Sequence, residues 1–401
     1  MLITKKDLII VFSMLFILIS MPFNFLYNYF LVTGVIPSIP GFGYAIINHI
    51  FALIVFCFFI FNFKLFFILK KCFFVFIFFS IYVFLFSFLN LTYFHYAGDF
   101  GVFIESFVFL IYFCCFFVSF SFYYNINKNI FRNIFLLMFF IAIFEMNFSN
   151  IIPFSFDNIA GKTEGHISYQ LVSFFMLITW VMFFFKEESF INRIIFSFLI
   201  LFLLLISGGR SELIGFVVAG IVTLLAYFIF STTQKHKKYI FMFLGGSSII
   251  YLSIYLISKY ANLFESSRHT QILDFENSSS WQEREYLYRM NVQKIIDNPI
   301  LGSYGSHKEL GDGAYIHNAL SAWQQFGIVG FILYLILIFI PILLAIYYLF
   351  KDKDRYNIYP FLFISIYVAI LCIATKPIFW PYASISLGLL FAYMKNRKEI
   401  F

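Results

Sequence analysis

The sequence predicts an all-α polytopic membrane protein of about twelve transmembrane helices, with one large periplasmic loop that contains short helices. Three observations predict it. The chain is 62% hydrophobic and 24% aromatic but only 12% charged, against roughly 25% charged residues in soluble domains. Apolar runs recur through all 401 residues, each near the roughly 20 residues that cross a bilayer as a helix. Lysine and arginine, finally, gather in alternate connections between those runs.

The runs begin near Leu8, Tyr44, Phe73, Gly101, Ile130, Ile167, Ile194, Ser211, Ile240, Gly327, Ile358 and Phe379. The first follows Lys5 and Lys6 without a small-residue cleavage site, which predicts a retained helix and not a signal peptide. Ser207-Gly208-Gly209-Arg210 is the polar break in a long apolar stretch, and a glycine pair followed by a charge ends one helix and starts the next.

With the N-terminus in the cytoplasm, alternate connections hold Lys5 and Lys6; Lys64, Lys70 and Lys71; Lys128 and Arg132; Lys186 and Arg193; Lys235, Lys237 and Lys238; Lys351, Lys353 and Arg355; and Lys395, Arg397 and Lys398. These are most of the 27 basic residues. The positive-inside bias then puts both termini in the cytoplasm of a bacterial inner membrane. The opposite connections hold Lys162, Arg210, Lys376 and the basic residues of the long loop.

Three regions follow: residues 1–258 with helices one to nine, residues 259–325 as the large periplasmic loop, and residues 326–401 with helices ten to twelve and the cytoplasmic tail. Within the loop, Trp281 to Ile296 reads as an amphipathic helix with Tyr288, Val292 and Ile295 at helical spacing, stopped by Asn298-Pro299. A second helix is expected to start near Tyr315 and run through His317, Leu320 and Trp323 toward the membrane.

Composition also excludes some functions. Cys57, Cys72, Cys114, Cys115 and Cys372 form no CxxC pair and no Cys/His cluster, so neither disulfides nor a metal site is expected. The net charge of +7 lacks the dense basic run of a nucleic-acid binder.

Basic residues on the outer side run against the topological bias, so each asks for a reason. Arg210 stands at a Gly-Gly break and a helix start, where a guanidinium grips a phosphate bidentately and the helix dipole adds to it; snorkelling or pairing with Glu212 is the structural alternative. Arg284 and Arg289 lie five apart on the loop helix, about 140° around it, so they could flank one anion without sharing a column; Glu283 and Glu285 could instead neutralise them. His317 follows a glycine-rich approach, Gly311-Asp312-Gly313-Ala314, and histidine can serve as a base toward a sugar hydroxyl or as a phosphate donor.

The order Arg284-Glu-Tyr-Leu-Tyr288, Ile296-Asp-Asn-Pro-Ile-Leu-Gly302, Gly311 through His317-Asn318, and Gly327-Ile-Val-Gly330 resembles the O-antigen ligase and polymerase superfamily. Ser207 to Gly215 looks like that family's Ser-Arg segment at a helix start, with Arg210 in the basic position and Gly209 where serine is usual. The turn Gly302-Ser-Tyr-Gly305 carries two residues between its glycines where members commonly have one.

The resemblance implies metal-independent, inverting glycosyl transfer from an undecaprenyl-pyrophosphate-linked oligosaccharide, with no cofactor. Arg210, Arg284 and Arg289 would hold the pyrophosphate, and His317 would be the base or a phosphate ligand. Glu212 is the reserve base. Membrane lipid, a chain-length regulator and a flippase are the implied partners. A repeat-unit polymerase, lengthening O-antigen, and a ligase, moving finished glycan to lipid A core, share these donor residues. A flippase or other transporter is the alternative from a different class, and it would place its charges near the bilayer midplane.

Overall fold

The computed structural model describes residues 4–37, 44–61, 72–94, 99–145, 169–207, 209–230, 279–311, 314–351 and 358–397. Among the described residues the regular structure is all helical, with no strand. Helix α1, Lys5–Leu18, starts on a capping box in which the Asp7 amide donates to Thr4 Oγ1. It passes through a wide turn at Ile19–Phe23, where Pro22 removes a backbone donor, into α2, Asn24–Val32.

There follow α3 (Tyr44–Phe61), α4 (Cys72–Leu89), α5 (Asp99–Phe120), α6 (Lys128–Phe144), α7 (Tyr169–Phe184), α8 (Phe190–Ile206) and α9 (Arg210–Phe230). After the loop helix α10 (Ser279–Asp297) come α11 (Leu320–Lys351), α12 (Tyr359–Ala374) and α13 (Tyr382–Asn396). The expected span near Ile240 and the start of the outer loop, residues 259–278, lie outside the described residues. Each of the other eleven apolar runs corresponds to a helix.

Six helical segments among the described residues are long and apolar enough to cross a membrane: Lys5–Val32, Tyr44–Phe61, Phe74–Thr92, Phe100–Phe120, Arg210–Phe230 and Leu320–Lys351. Shorter apolar helices, Gln170–Phe184, Ile191–Ile206 and Tyr359–Ala374, pack among them. Outward faces carry large apolar side chains, including Ile50, Ile54, Phe78, Ile81 and Leu85. A continuous surface of this kind suits lipid and not water.

Close packing sets the centre of the bundle. Helix α13 lies against α5 at Gly388, where any Cβ would collide with the Phe117 carbonyl and come 2.8 Å from Phe120 Cβ. At one end of the bundle the connections α5–α6 and α7–α8 meet. There Lys128 Nζ donates to the Lys186 carbonyl at 3.0 Å, Lys186 caps the Tyr123 and Ile126 carbonyls, and Arg193 donates to the Glu187 carbonyl. Lys395 at the end of α13 lies 4.0 Å over the Phe122 ring. Basic residues that the charge pattern assigned to one side thus share one end of the bundle.

The loop helix α10 forms as expected, but its inward face differs. Asn291 and Ile295 are buried and Arg284 and Leu287 half-buried, whereas Tyr288 is exposed. The contact stripe therefore runs through two polar residues. Asn291 explains this: its Nδ2 donates to the Leu287 and Ala314 carbonyls, and its Oδ1 accepts from Gln324 Nε2 at 2.6 Å.

The second expected helix starts later than Tyr315. Residues 315–318 are not helical; the Asn318 side chain accepts the Leu320 amide at 2.9 Å and begins α11 there. Helix α11 then kinks at Phe326-Gly327, where Gly327 has φ +66. The Asn298–Gly302 turn fills that kink: Gly302 has φ +70, its missing Cβ would meet the Trp323 and Gln324 carbonyls, and the Ile328 amide donates to the Ile300 carbonyl at 3.1 Å. Trp323 Nε1 donates to the Pro299 carbonyl at 2.6 Å, and Tyr82 OH of α4 donates to the Phe326 carbonyl at 2.7 Å. The glycines of the motif thus let two backbones touch where the loop enters the bundle.

Candidate functional site

The end of the bundle opposite the Lys128–Lys186 cluster gathers a second set of polar groups. Arg210 is the first residue of α9, so it stands where unpaired amides and the dipole favour an anion. Two residues further on, Glu212 has no exposed surface and forms an ion pair of 2.6 Å with Lys376, which is 1% exposed. Ser211 Oγ donates to the other Glu212 oxygen at 2.8 Å.

Lys376 lies in the α12–α13 connection. Its ammonium also donates to Gln170 Oε1 of α7 and sits 4.3 Å over the Trp380 ring. Nearby, the Ile378 amide donates to Ser321 Oγ at 2.8 Å, tying this connection to the first turn of α11, just past His317.

Gly209 replaces the serine that the resemblance expects, and the packing gives the reason. A Cβ there would strike Ser173 Oγ and come 3.0 Å from Glu212 Oε2. Ser173 itself is bonded to Ser207 Oγ at 2.8 Å. A hydroxyl from α7 thus occupies the space that a side chain at 209 would fill.

His317 is half-buried and stacks edge-on against Tyr315 at 5.7 Å. Burial pushes its imidazole down to about 4 from 6.5, and the positive charges of Arg284 and Lys376 push in the same direction. That electrostatic reach draws Arg284 on α10, His317 and Lys376 into one cationic region, with Arg210 two residues from the Lys376-bound carboxylate. Neutral at pH 7, His317 is better suited to hydrogen-bonding an oxygen than to accepting a proton.

Two expected site residues stand apart from this. Arg289 is 76% exposed and bound to Glu285 at 2.5 Å one turn back, on a different face of α10 from Arg284. Glu212, expected as reserve base, is enclosed behind the site and committed to Lys376. Lys376 is the residue that sequence reasoning did not single out, although its position on the outer side, against the charge bias, was a signal for it.

The class is thus a multi-pass α-helical membrane protein with a cation-rich site where its loop helices join the bundle. Residues 195–335 match the family model described as O-antigen ligase. The matched segment, about a third of the chain, contains Arg210, Glu212, Arg284 and His317 and is what links the chain by similarity to the O-antigen ligase/polymerase superfamily. No curated protein and no solved structure matches the chain.

Proposed function

We propose that the protein is an O-antigen repeat-unit polymerase that transfers the growing glycan from undecaprenyl pyrophosphate to the next lipid-linked unit at the periplasmic face of the inner membrane. The observation that carries this is the convergence of Arg210, Arg284, Lys376 and His317 at one end of an apolar bundle. A departing pyrophosphate concentrates negative charge, and preorganised cations and helix amides stabilise that charge where it develops.

In this reading Arg210 and Arg284 hold the pyrophosphate, His317 donates a hydrogen bond to it, and Lys376 fixes the start of α9 through Glu212. Arg289 has no part. The acceptor hydroxyl attacks the anomeric carbon from the face opposite the leaving group, which inverts the configuration. The basic cluster at Lys128, Lys186 and Arg193 supports a cytoplasmic position for the other end. The match is confined to about a third of the chain and the Gly302–Gly305 turn is longer than usual, which suits the polymerases as the more divergent branch.

The ligase reading is favoured by the matched family's own description. Deleting the gene in its host and running the lipopolysaccharide on a gel separates the two. Core bearing a single repeat unit is the expected result; core without any, beside accumulated lipid-linked polymer, identifies a ligase, and an unchanged ladder overturns both. Arg210→Ala is expected to lower transfer by roughly 100-fold or more in protein of normal abundance.

A further inference from the structure

A second polar cluster lies beside the cationic one. Tyr304, in the Gly302–Gly305 turn, is buried and bonded to Ser106 of α5 at 3.1 Å, and Gly305 rests on Val102 of the same helix. This anchoring carries His307, which has no exposed surface, to within 3.6 Å of Glu105 Oε2 on α5. Lys308 Nζ is 3.7 Å from the same oxygen.

The tautomer of His307 follows from its other neighbour. The Gly305 amide donates to Gln325 Oε1 at 3.1 Å, so Gln325 Nε2 donates to His307 Nδ1 at 2.7 Å. In neutral His307 the proton is then on Nε2, facing Glu105, an assignment made from the hydrogen-bond network. Both His307 Nε2 and Glu105 Oε2 are enclosed without a hydrogen-bond partner. The Glu105 side chain as a whole is 28% exposed, and its enclosed oxygen is Oε2, the one beside His307 and Lys308.

The two clusters share a wall. The Tyr315 ring is 5.4 Å from the His307 ring and 5.7 Å from the His317 ring, and Phe379 closes against both Tyr315 and His307 at 6.1 Å. His317, within the electrostatic reach of Arg284 and Lys376, thus lies on one side of Tyr315, and His307 with Glu105 and Lys308 on the other. Glu212 is enclosed and His317 is neutral, whereas Glu105 is a partly exposed carboxylate that reaches this wall through His307.

We infer that Glu105 is the general base for the acceptor sugar hydroxyl, with His307 as its positioning residue; this rests on the glycosyl-transfer reading above. The acceptor O–H proton passes to Glu105 Oε1 as the oxygen bonds to the anomeric carbon. The bond from that carbon to the pyrophosphate oxygen breaks, and its electron pair leaves with the pyrophosphate. Glu105 then releases the proton to water. The long Nε2 to Oε2 separation is of the kind that tightens once substrate is bound.

The test uses the full-length protein in detergent, with lipid-linked repeat units extracted from the deletion strain as donor and acceptor, and undecaprenyl pyrophosphate as a separate binding probe. Glu105→Gln is expected to lower turnover by about 100-fold while leaving probe affinity unchanged, and His307→Gln to lower turnover by about tenfold. Arg210→Ala is expected to weaken the probe. Should Glu105→Gln fail to fold, Glu105→Asp keeps the charge, draws the carboxylate back, and is expected to lower turnover at unchanged affinity. Near wild-type turnover in the Glu105 variants, with Arg210→Ala impaired, overturns the base assignment alone; near wild-type turnover in all of them overturns the transfer reading as well.

Discussion

Glu212 and Lys376 have almost no contact with water, so each charge depends on the other. Removing one partner of such a pair leaves an uncompensated buried charge, at a cost of about 3–5 kcal/mol, whereas replacing both often costs little. Lys376→Met is accordingly expected to destabilise the protein more than the double variant Glu212→Gln, Lys376→Met, as read by thermal unfolding in detergent. A loss in the double variant equal to the sum of the losses in Lys376→Met and Glu212→Gln alone would show that the pair is not coupled. His317 makes a second prediction. Its imidazole titrates near 4 in the folded protein and near 6.5 when free, so between those values the unfolded chain binds a proton that the folded one refuses. Stability should therefore fall as pH drops from about 6.5 toward 4, and His317→Gln should flatten that slope in a pH series of unfolding temperatures. At this scale the sequence singled out Arg210 and Arg284, because cations on the outer side contradict the charge bias, and His317, because it follows a glycine-rich approach to a helix start. It hid the Glu212–Lys376 bond, since residues more than 160 apart in the chain carry no local sign of touching, and the same holds for Glu105 and His307.

Helix positions were legible because runs of about 20 apolar residues have few other uses. What was not legible was which face of a helix turns inward when that face is polar. In α10 apolar spacing pointed to Tyr288, yet the buried stripe runs through Arg284 and Asn291, held by Ala314 and Gln324. The late start of α11 has a similar origin: Asn318 caps Leu320 and leaves His317 in an irregular segment beside Tyr315. The kink at Gly327 gives this scale its prediction. Its φ is +66, and a Cβ would run into the Ile300 carbonyl and within 3.0 Å of Leu301 Cα. Gly327→Ala is expected to cost at least about 1–3 kcal/mol from strain and collision together. Gly220, in the middle of α9 with nothing within 4 Å of a Cβ, is the control. Gly220→Ala should be neutral or stabilising by up to about 1 kcal/mol, because alanine is the better helix former. A Gly327→Ala protein as stable as wild type would mean that the turn and the kink do not meet.

Across the whole molecule, the charge pattern and the packing describe one axis. Lys128, Lys186, Arg193 and Lys395 meet at one end, and Arg210, Lys376 and the helices of the outer loop meet at the other. If the bias in lysine and arginine sets orientation, the site end faces the periplasm and both termini the cytoplasm. That arrangement is open to direct measurement, because Glu309 on the loop side is 65% exposed and Lys5 at the start of α1 is also exposed. Cys57, exposed on a helix face among Ile50, Ile54 and Ile60, should stay unlabelled by a charged maleimide, which does not enter hydrocarbon. In intact cells with a permeable outer membrane, Glu309→Cys should therefore label at once, and Lys5→Cys only after the inner membrane is opened. The reverse pattern would put the cationic site in the cytoplasm, on the wrong side for a periplasmic transfer, and labelling of both in intact cells would break the link between the positive clusters and the fold.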